Sequence, residues 1–152
     1  MAPQTHTGST VRYSERLGPT PAWWFVAAVL AAMTAVMVYP VWHWGGLIVP
    51  LITFALLVLA LRATIKSVVV TDRELYAGVA HIERALLGEV TPLDKQQAFE
   101  ARGFRLDARA FLMTRPWIGP AVRIDIADPA DPTPYWIVST RRPEELAAAL
   151  RG

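Results

Sequence analysis

Residues 17–61 read LGPTPAWWFVAAVLAAMTAVMVYPVWHWGGLIVPLITFALLVLAL, a run of 45 positions without a single Asp, Glu, Lys or Arg. An uncharged run of this length is membrane structure rather than a soluble core. Its first part, residues 22–42, would extend about 31 Å as a helix, close to the hydrocarbon thickness of a bilayer. His43-Trp44-Gly45-Gly46 then interrupts it, with Pro40 just ahead, because glycine disfavours helix and proline removes a backbone donor. The second part, residues 47–61, is shorter. It reaches a full span when Gly45, Gly46 and residues 62–65 join it, with Arg62 and Lys66 snorkelling to the headgroups. The pattern predicts helices over 21–41 and 46–66, with Pro50 in the first turns of the second, where proline is tolerated. A secretory signal would show one short apolar run nearer the N-terminus and a cleavage site of small residues.

Working outward, Trp23 and Trp24 lie at one end of the hairpin and Trp42 and Trp44 at the other, the interfacial positions that indoles favour. Arg12 and Arg16 precede the first span and Arg62 and Lys66 follow the second, whereas the turn carries no formal charge. By the positive-inside rule the chain is a multi-pass protein of the cell membrane with both termini cytoplasmic. A helical hairpin buried in a soluble protein is the competing reading. It would need other helices to cover the uncharged surface, and the rest of the chain does not supply them.

The composition of 152 residues, 53% hydrophobic with a mean hydropathy of +0.30, is dominated by this block. Residues 62–152 hold 13 Lys and Arg against 12 Asp and Glu, so no basic nucleic-acid surface is implied. The absence of cysteine excludes disulfides, thiolate nucleophiles and cysteine metal sites, and only His6, His43 and His81 could supply imidazole. Residues 1–12 are small and polar without periodicity. With Tyr13-Ser14-Glu15-Arg16-Leu17 leading into the membrane, residues 1–20 read as a flexible cytoplasmic tail.

From Lys66 onward short segments rich in Val, Ile, Tyr and Trp alternate with turn residues, a β signature. Strands are predicted at 67–71, 75–77, 79–84, 111–114, 121–127 and 135–139, with 86–90 ambiguous between turn and strand and helix formers over 94–102. In 121–127, Val122, Ile124 and Ile126 point inward and Arg123 and Asp125 outward. Residues 128–134 form a proline-stiffened loop. Pro143 at a first helical position, followed by Glu144 and Glu145, starts a helix over 143–151. The fold class is therefore a two-helix transmembrane hairpin over 21–66 followed by a small, mostly β domain over 67–152, a barrel or sandwich closed by its C-terminal helix.

This layout resembles the bacterial pleckstrin-homology-like domains that follow two-helix membrane hairpins, with Leu75 to Gly78 as a hairpin, Leu87-Gly88-Glu89-Val90 as a corner and Thr140-Arg141-Arg142-Pro143 entering the last helix. The segments Tyr13-Ser14-Glu15-Arg16, Arg115-Pro116-Trp117-Ile118-Gly119-Pro120-Ala121-Val122-Arg123, Asp128-Pro129-Ala130-Asp131-Pro132-Thr133-Pro134-Tyr135-Trp136 and Ser139-Thr140-Arg141 carry a closer likeness. From about residue 11 to its end the chain is similar to the actinobacterial membrane family catalogued as domain of unknown function 3093. A count of 23 Ala and 13 Arg against 2 Lys and no Asn agrees with a GC-rich genome. The resemblance implies topology and fold and carries no activity or catalytic residues.

Candidate sites are weighed residue by residue. His81 in a strand and His43 at the far interface read as ordinary surface positions, and no His lies at metal spacing. Asp125, Asp128 and Asp131 recur every three residues, yet they lack the glycine and terminal Glu of a calcium loop, and turn chemistry explains Asp-Pro better. There is no Gly-x-Ser-x-Gly, no glycine-rich phosphate loop and no His-Glu-x-x-His, so the chain reads as a non-enzyme without cofactor.

Above this background stand Arg115, Trp117, Trp136, Arg141 and Arg142, because arginine pairs with phosphates and tryptophan favours interfaces. The competing reading assigns Trp117 and Trp136 to the core and Arg141 and Arg142 to solvation of the strand-to-helix corner. The expected partners are the lipid bilayer and either another membrane protein or anionic headgroups. The expected role is a membrane-anchored interaction or scaffold module, an accessory to a membrane or envelope assembly. The alternative is an anionic lipid or phosphate-ligand binding module using the arginine–tryptophan face.

Overall fold

A computed structural model describes residues 10–152, and the chain divides into two compact units, residues 18–65 and a β unit built from the segments on either side. Residues 1–9 of the expected N-terminal tail lie outside the described residues.

The first unit is the hairpin, with α1 over Pro21–Val38 and α2 over Gly45–Ala63. Both helices are apolar and long enough to cross a membrane by length and composition. Each is shorter than the sequence pattern predicts. α1 stops two residues before Pro40, which has no backbone N–H to continue the helical ladder. α2 stops at Ala63 because Lys66 is taken by a strand instead. Where the helices pack, the buried positions of α1 are the small residues Ala27 and Ala31, while Phe25, Met33, Val36, Met37, Leu51, Leu56 and Leu59 are exposed. The turn requires glycine twice. A Cβ on Gly45 would lie 2.2 Å from the Trp42 ring, and one on Gly46 would lie 2.6 Å from the Tyr39 ring.

Among the described residues the β unit holds eight strands. β1 (Val11–Leu17), β2 (Lys66–Thr71), β3 (Glu74–Ala77) and β4 (Ala80–Glu83) form an antiparallel sheet in that order. β5 (Leu87–Leu93), reached through a 3-10 turn at Arg84–Leu86, joins β7 (Ala121–Ile126), β8 (Tyr135–Ser139) and β6 (Phe111–Met113) in a second sheet, ordered β5-β7-β8-β6 with β6 parallel to β8. α3 (Lys95–Arg102) follows β5, and α4 (Pro143–Arg151) closes the chain. α3 begins with a capping box, in which the Asp94 carboxylate accepts from the Gln97 N–H at 2.8 Å and the Gln97 amide oxygen accepts from the Asp94 N–H.

β1 corrects the expected flexible tail of residues 1–20. Leu17 pairs with Lys66 and Val11 with Thr71, so the hairpin is an insertion between two strands that pair directly. Alternation explains the strand: Tyr13, Glu15 and Leu17 are buried while Ser14 and Arg16 are exposed. The charged residue at an inward position hid that alternation in the sequence.

Two cores result. Tyr13, Leu17, Val68, Val70 and Leu75 of the first sheet face Val122, Ile124, Trp136 and Val138 of the second, with Leu146 and Leu150 of α4 packed among them. On the other face of the second sheet, Ala98 of α3 meets Ala121, Tyr135 and Ile137. β8 is therefore buried at all five positions. The tight β3–β4 turn rests on Gly78, whose φ of 68° is left-handed. In β7, Val122 and Ile124 face the main core, whereas Arg123 pairs with Asp125 at 2.9 Å and its guanidinium lies 4.1 Å from the Tyr135 ring centroid.

Ile124 is fully buried, so Ile124→Ala is expected to lower the stability of the β unit by about 2–5 kcal/mol. Asp125→Ala, at a half-exposed pair, is expected to cost about 0.5 kcal/mol. Denaturant unfolding of the full chain in micelles, followed by tryptophan fluorescence, measures both; equal losses would contradict the packing of β7.

Candidate functional site

Two short segments far apart in sequence meet at the end of β1. Glu15 is only 7% exposed, and a buried carboxylate needs donors. Its Oε2 accepts from the Tyr13 hydroxyl at 2.7 Å and from the Thr140 hydroxyl at 2.5 Å, and its Oε1 accepts from the Arg141 backbone N–H at 3.1 Å. The Arg141 guanidinium stands 3.8 Å from Glu15 Oε1 and donates to the Arg16 carbonyl at 3.2 Å. The Thr140 hydroxyl oxygen also accepts from the Arg142 N–H at 3.0 Å, which sets the entry into α4. The Arg142 guanidinium lies 5.1 Å from the Tyr13 ring centroid and pairs with Glu145 at 2.8 Å. Burial pushes the Tyr13 phenol up to about 12; the Thr140 hydroxyl works against this and the Glu15 carboxylate adds to it. At neutral pH Tyr13 is therefore a protonated donor.

The five residues singled out from the sequence do not form one face. Arg115, Arg141 and Arg142 are gathered beyond the C-terminal end of β8: the Arg115 backbone N–H donates to Ser139 Oγ at 3.1 Å, and its guanidinium donates to the Thr114 carbonyl at 2.9 Å. Trp117 is half-buried against the main core. Trp136 sits near the start of β8, is 6% exposed and packs on Phe111 with ring centroids 4.6 Å apart. The expected surface role for Trp136 is corrected to a core role, because both faces of β8 are covered. Asp125 pairs with Arg123, while Asp128 and Asp131 accept from the backbone N–H groups of Ala130 and Thr133 as turn-forming aspartates. Among the described residues no group of three or more His, Cys, Asp or Glu is arranged to hold a metal.

Strand direction sets which charged residues share an end of the β unit. Leu17 faces Lys66, Ala77 faces Ala80, Leu93 faces Ala121 and Ala121 faces Ser139, while Met113 lies beside Val138. The two sheets meet here through Glu15 and Thr140 and through Gly78, where a Cβ would lie 3.4 Å from Met113 Sδ. The exit of β1, the entry of β2, the β3–β4 turn and the segments after β5, β6 and β8 therefore share one end. That end bears Arg16, Lys66, Lys95, Arg115, Arg141 and Arg142, together with Asp94, Glu144 and Glu145. The opposite end bears Asp72, Glu74, Glu83, Asp125, Asp128 and Asp131, together with Arg12, Arg73 and Arg84. There the Arg12 guanidinium, helped by Thr10, holds the Asp72 carboxyl below the usual range and fastens the start of β1.

Sequence reasoning named the arginines of this end but missed the residues that organise it. Tyr13, Glu15 and Thr140 carried a signal only in that the segments containing them were the ones resembling a known family. Glu15→Ala is expected to cost about 3 kcal/mol, because it leaves two buried hydroxyls and a backbone N–H without their charged acceptor. Ser14→Ala, on the outer face of the same strand, is expected to change stability by about 0.5 kcal/mol or less. The raised Tyr13 value has a pH signature. Between pH 10 and about 12 the unfolded chain gives up this proton while the folded chain keeps it, so stability falls as pH rises through that window. Tyr13→Phe is expected to flatten this slope relative to the parent chain, read as the difference between their thermal midpoints across the alkaline range.

Over residues 12–150 the chain matches the model of a family described as protein of unknown function, DUF3093. No curated protein and no solved structure matches the chain at a significant level. The matched span runs from the start of β1 to the last turn of α4, taking in the hairpin, both sheets and the Glu15 junction, and on this evidence the chain belongs to the DUF3093 family.

Proposed function

We propose that this protein is a non-catalytic, membrane-anchored interaction module, an accessory component of a membrane or envelope-associated assembly, in a cell membrane of actinobacterial type. The observation that carries this reading is the insertion of residues 18–65, with their exposed apolar helices, between two directly paired strands. A β domain built around its own anchor cannot part from the membrane without breaking its first strand pair. The β1–β2 pairing also requires both ends of the hairpin to lie on one side of the bilayer. Arg12, Arg16, Arg62 and Lys66 at those ends favour the cytoplasmic side. A four-stranded antiparallel meander, a second sheet and a C-terminal helix packed on the common core support a pleckstrin-homology-like reading of the domain. Such a domain, tethered to the leaflet by short connections, presents its surface to neighbouring membrane proteins.

The chain has no cysteine, so single introduced thiols report topology directly. In intact cells His43→Cys, in the hairpin turn, is expected to react with an impermeant thiol reagent, and Ala130→Cys to react only after permeabilisation. Labelling of Ala130→Cys from outside would reverse the orientation. Cross-linking in the native membrane followed by purification is expected to recover a defined set of membrane proteins, reduced by substitutions on the β unit that leave its folding intact. Recovery unaffected by any such substitution would end the module reading.

A further inference from the structure

The end of the β unit that receives the hairpin carries, besides its arginines and lysines, two apolar side chains in unusual positions. Val79 is 89% exposed at the tip of the β3–β4 turn, a place where turns ordinarily carry polar residues or glycine. Phe99 is 75% exposed on α3, whose buried side is provided by Ala98. Phe99 shares a cleft of about 430 Å³ with Lys95, Arg102, Pro116 and Ile118. Arg102 is fixed there by donating to the Gly119 carbonyl at 3.0 Å, in the segment that leads into β7 at this same end. Neither apolar side chain serves the folded core, and both are flanked by cations: Lys66 beside Gly78, and Lys95 and Arg102 beside Phe99. Apolar tips among basic residues are the composition of surfaces that enter the boundary between headgroups and acyl chains of anionic bilayers.

We propose that this end of the β unit docks on an anionic lipid leaflet, with Val79 and Phe99 entering the interface and Arg16, Lys66, Lys95 and Arg115 facing lipid phosphates. The cations of this end, Arg16, Lys66, Lys95, Arg102, Arg115, Arg141 and Arg142, outnumber its acidic residues Glu15, Asp94, Glu144 and Glu145, and that excess is complementary to such a partner. The proposal rests on the membrane-anchored reading, since chain connection supplies the leaflet: β1 ends at Leu17 and β2 begins at Lys66, with only residues 18–20 and 64–65 between these strands and the helices. Tethering of this kind makes a weak surface contact effective without high intrinsic affinity. The surface differs from the arginine–tryptophan grouping suggested by the sequence. Trp136 is absent from it, and Arg141 and Arg142 are engaged with Glu15 and Glu145.

The test uses the full chain in nanodiscs of phosphatidylcholine alone or mixed with phosphatidylglycerol, spin-labelled at one of Val79→Cys, Phe99→Cys, Ala130→Cys or Val36→Cys. Collision with oxygen and with a water-soluble nickel chelate reports depth. Labels at 79 and 99 are expected to move to interfacial depth in the anionic discs and return to aqueous values in high salt or in phosphatidylcholine alone, while 130 stays aqueous throughout. Arg16→Glu with Lys95→Glu, both exposed positions, is expected to abolish the shift at 99. The proposal is overturned if 79 and 99 remain as aqueous as 130 in anionic discs while 36 is embedded, an outcome that leaves the anchor reading intact. It is equally overturned if 99 is shielded from both oxygen and nickel whatever the lipid, which would mean that protein covers it. An aqueous value at 36 would bring down the anchor reading and this proposal together.

Discussion

The pairing of Leu17 with Lys66 is the contact on which the remaining architecture depends. It joins strands separated by residues 18–65, and closing a flexible loop of that length would cost roughly 3 kcal/mol above a constant, by the logarithmic loop law. A preformed helical hairpin removes most of that cost, because only residues 18–20, the turn and residues 64–65 remain outside helices and strands. Assembly of the hairpin and formation of the first sheet are therefore coupled through chain entropy. The same pairing turns a stretch that would otherwise be a tail into the edge of a sheet, and it brings residues of the N-terminal segment to those that open α4.

Glu15 makes that pairing specific. A strand slipped by one residue would expose Tyr13, Glu15 and Leu17 and bury Ser14 and Arg16, since side chains alternate with a period of two. A buried carboxylate with three donors is satisfied in one register only, and every slipped arrangement leaves the Thr140 hydroxyl and the Arg141 N–H without it. Placing a charge in the core is poor for stability compared with an apolar residue of the same size, but it penalises alternatives more heavily. The junction is thus a register lock. It also fixes Arg141 and Arg142 with their charges partly answered, which shifts attention from those arginines to Arg16, Lys66 and Lys95 on the same end.

Covering a strand on both faces changes what its residues can do. The second sheet packs the first sheet on one side and α3 on the other, so Tyr135, Trp136, Ile137 and Val138 are all core residues. An indole in such a strand stabilises through its large buried area and its contact with Phe111. Among the apolar groups left to meet an environment beyond this unit are Val79 on a turn and Phe99 on the outer side of α3. The grouping of these two with cations at one end follows from the pairing of the strands rather than from closeness in sequence.

The sequence by itself determined the hairpin, its glycine turn, the strands from Lys66 to Ser139 other than β5, which it left open between turn and strand, and the last helix, because each is written in local terms: apolar length, alternation, and proline or glycine at element ends. The antiparallel meander of β2, β3 and β4 is likewise local. Only the tertiary structure decided that residues 11–17 are a strand, since their alternation contains a glutamate whose partners lie about 125 positions away. It also decided that Tyr135 and Ile137 are buried as well as Trp136 and Val138, because period-two alternation marks one covered face and cannot foretell a helix on the other. The common end that unites Arg16, Lys66, Val79, Lys95, Phe99 and Arg115 was illegible because strand order and direction are set by long-range pairing, and which residues share an end is a property of that pairing.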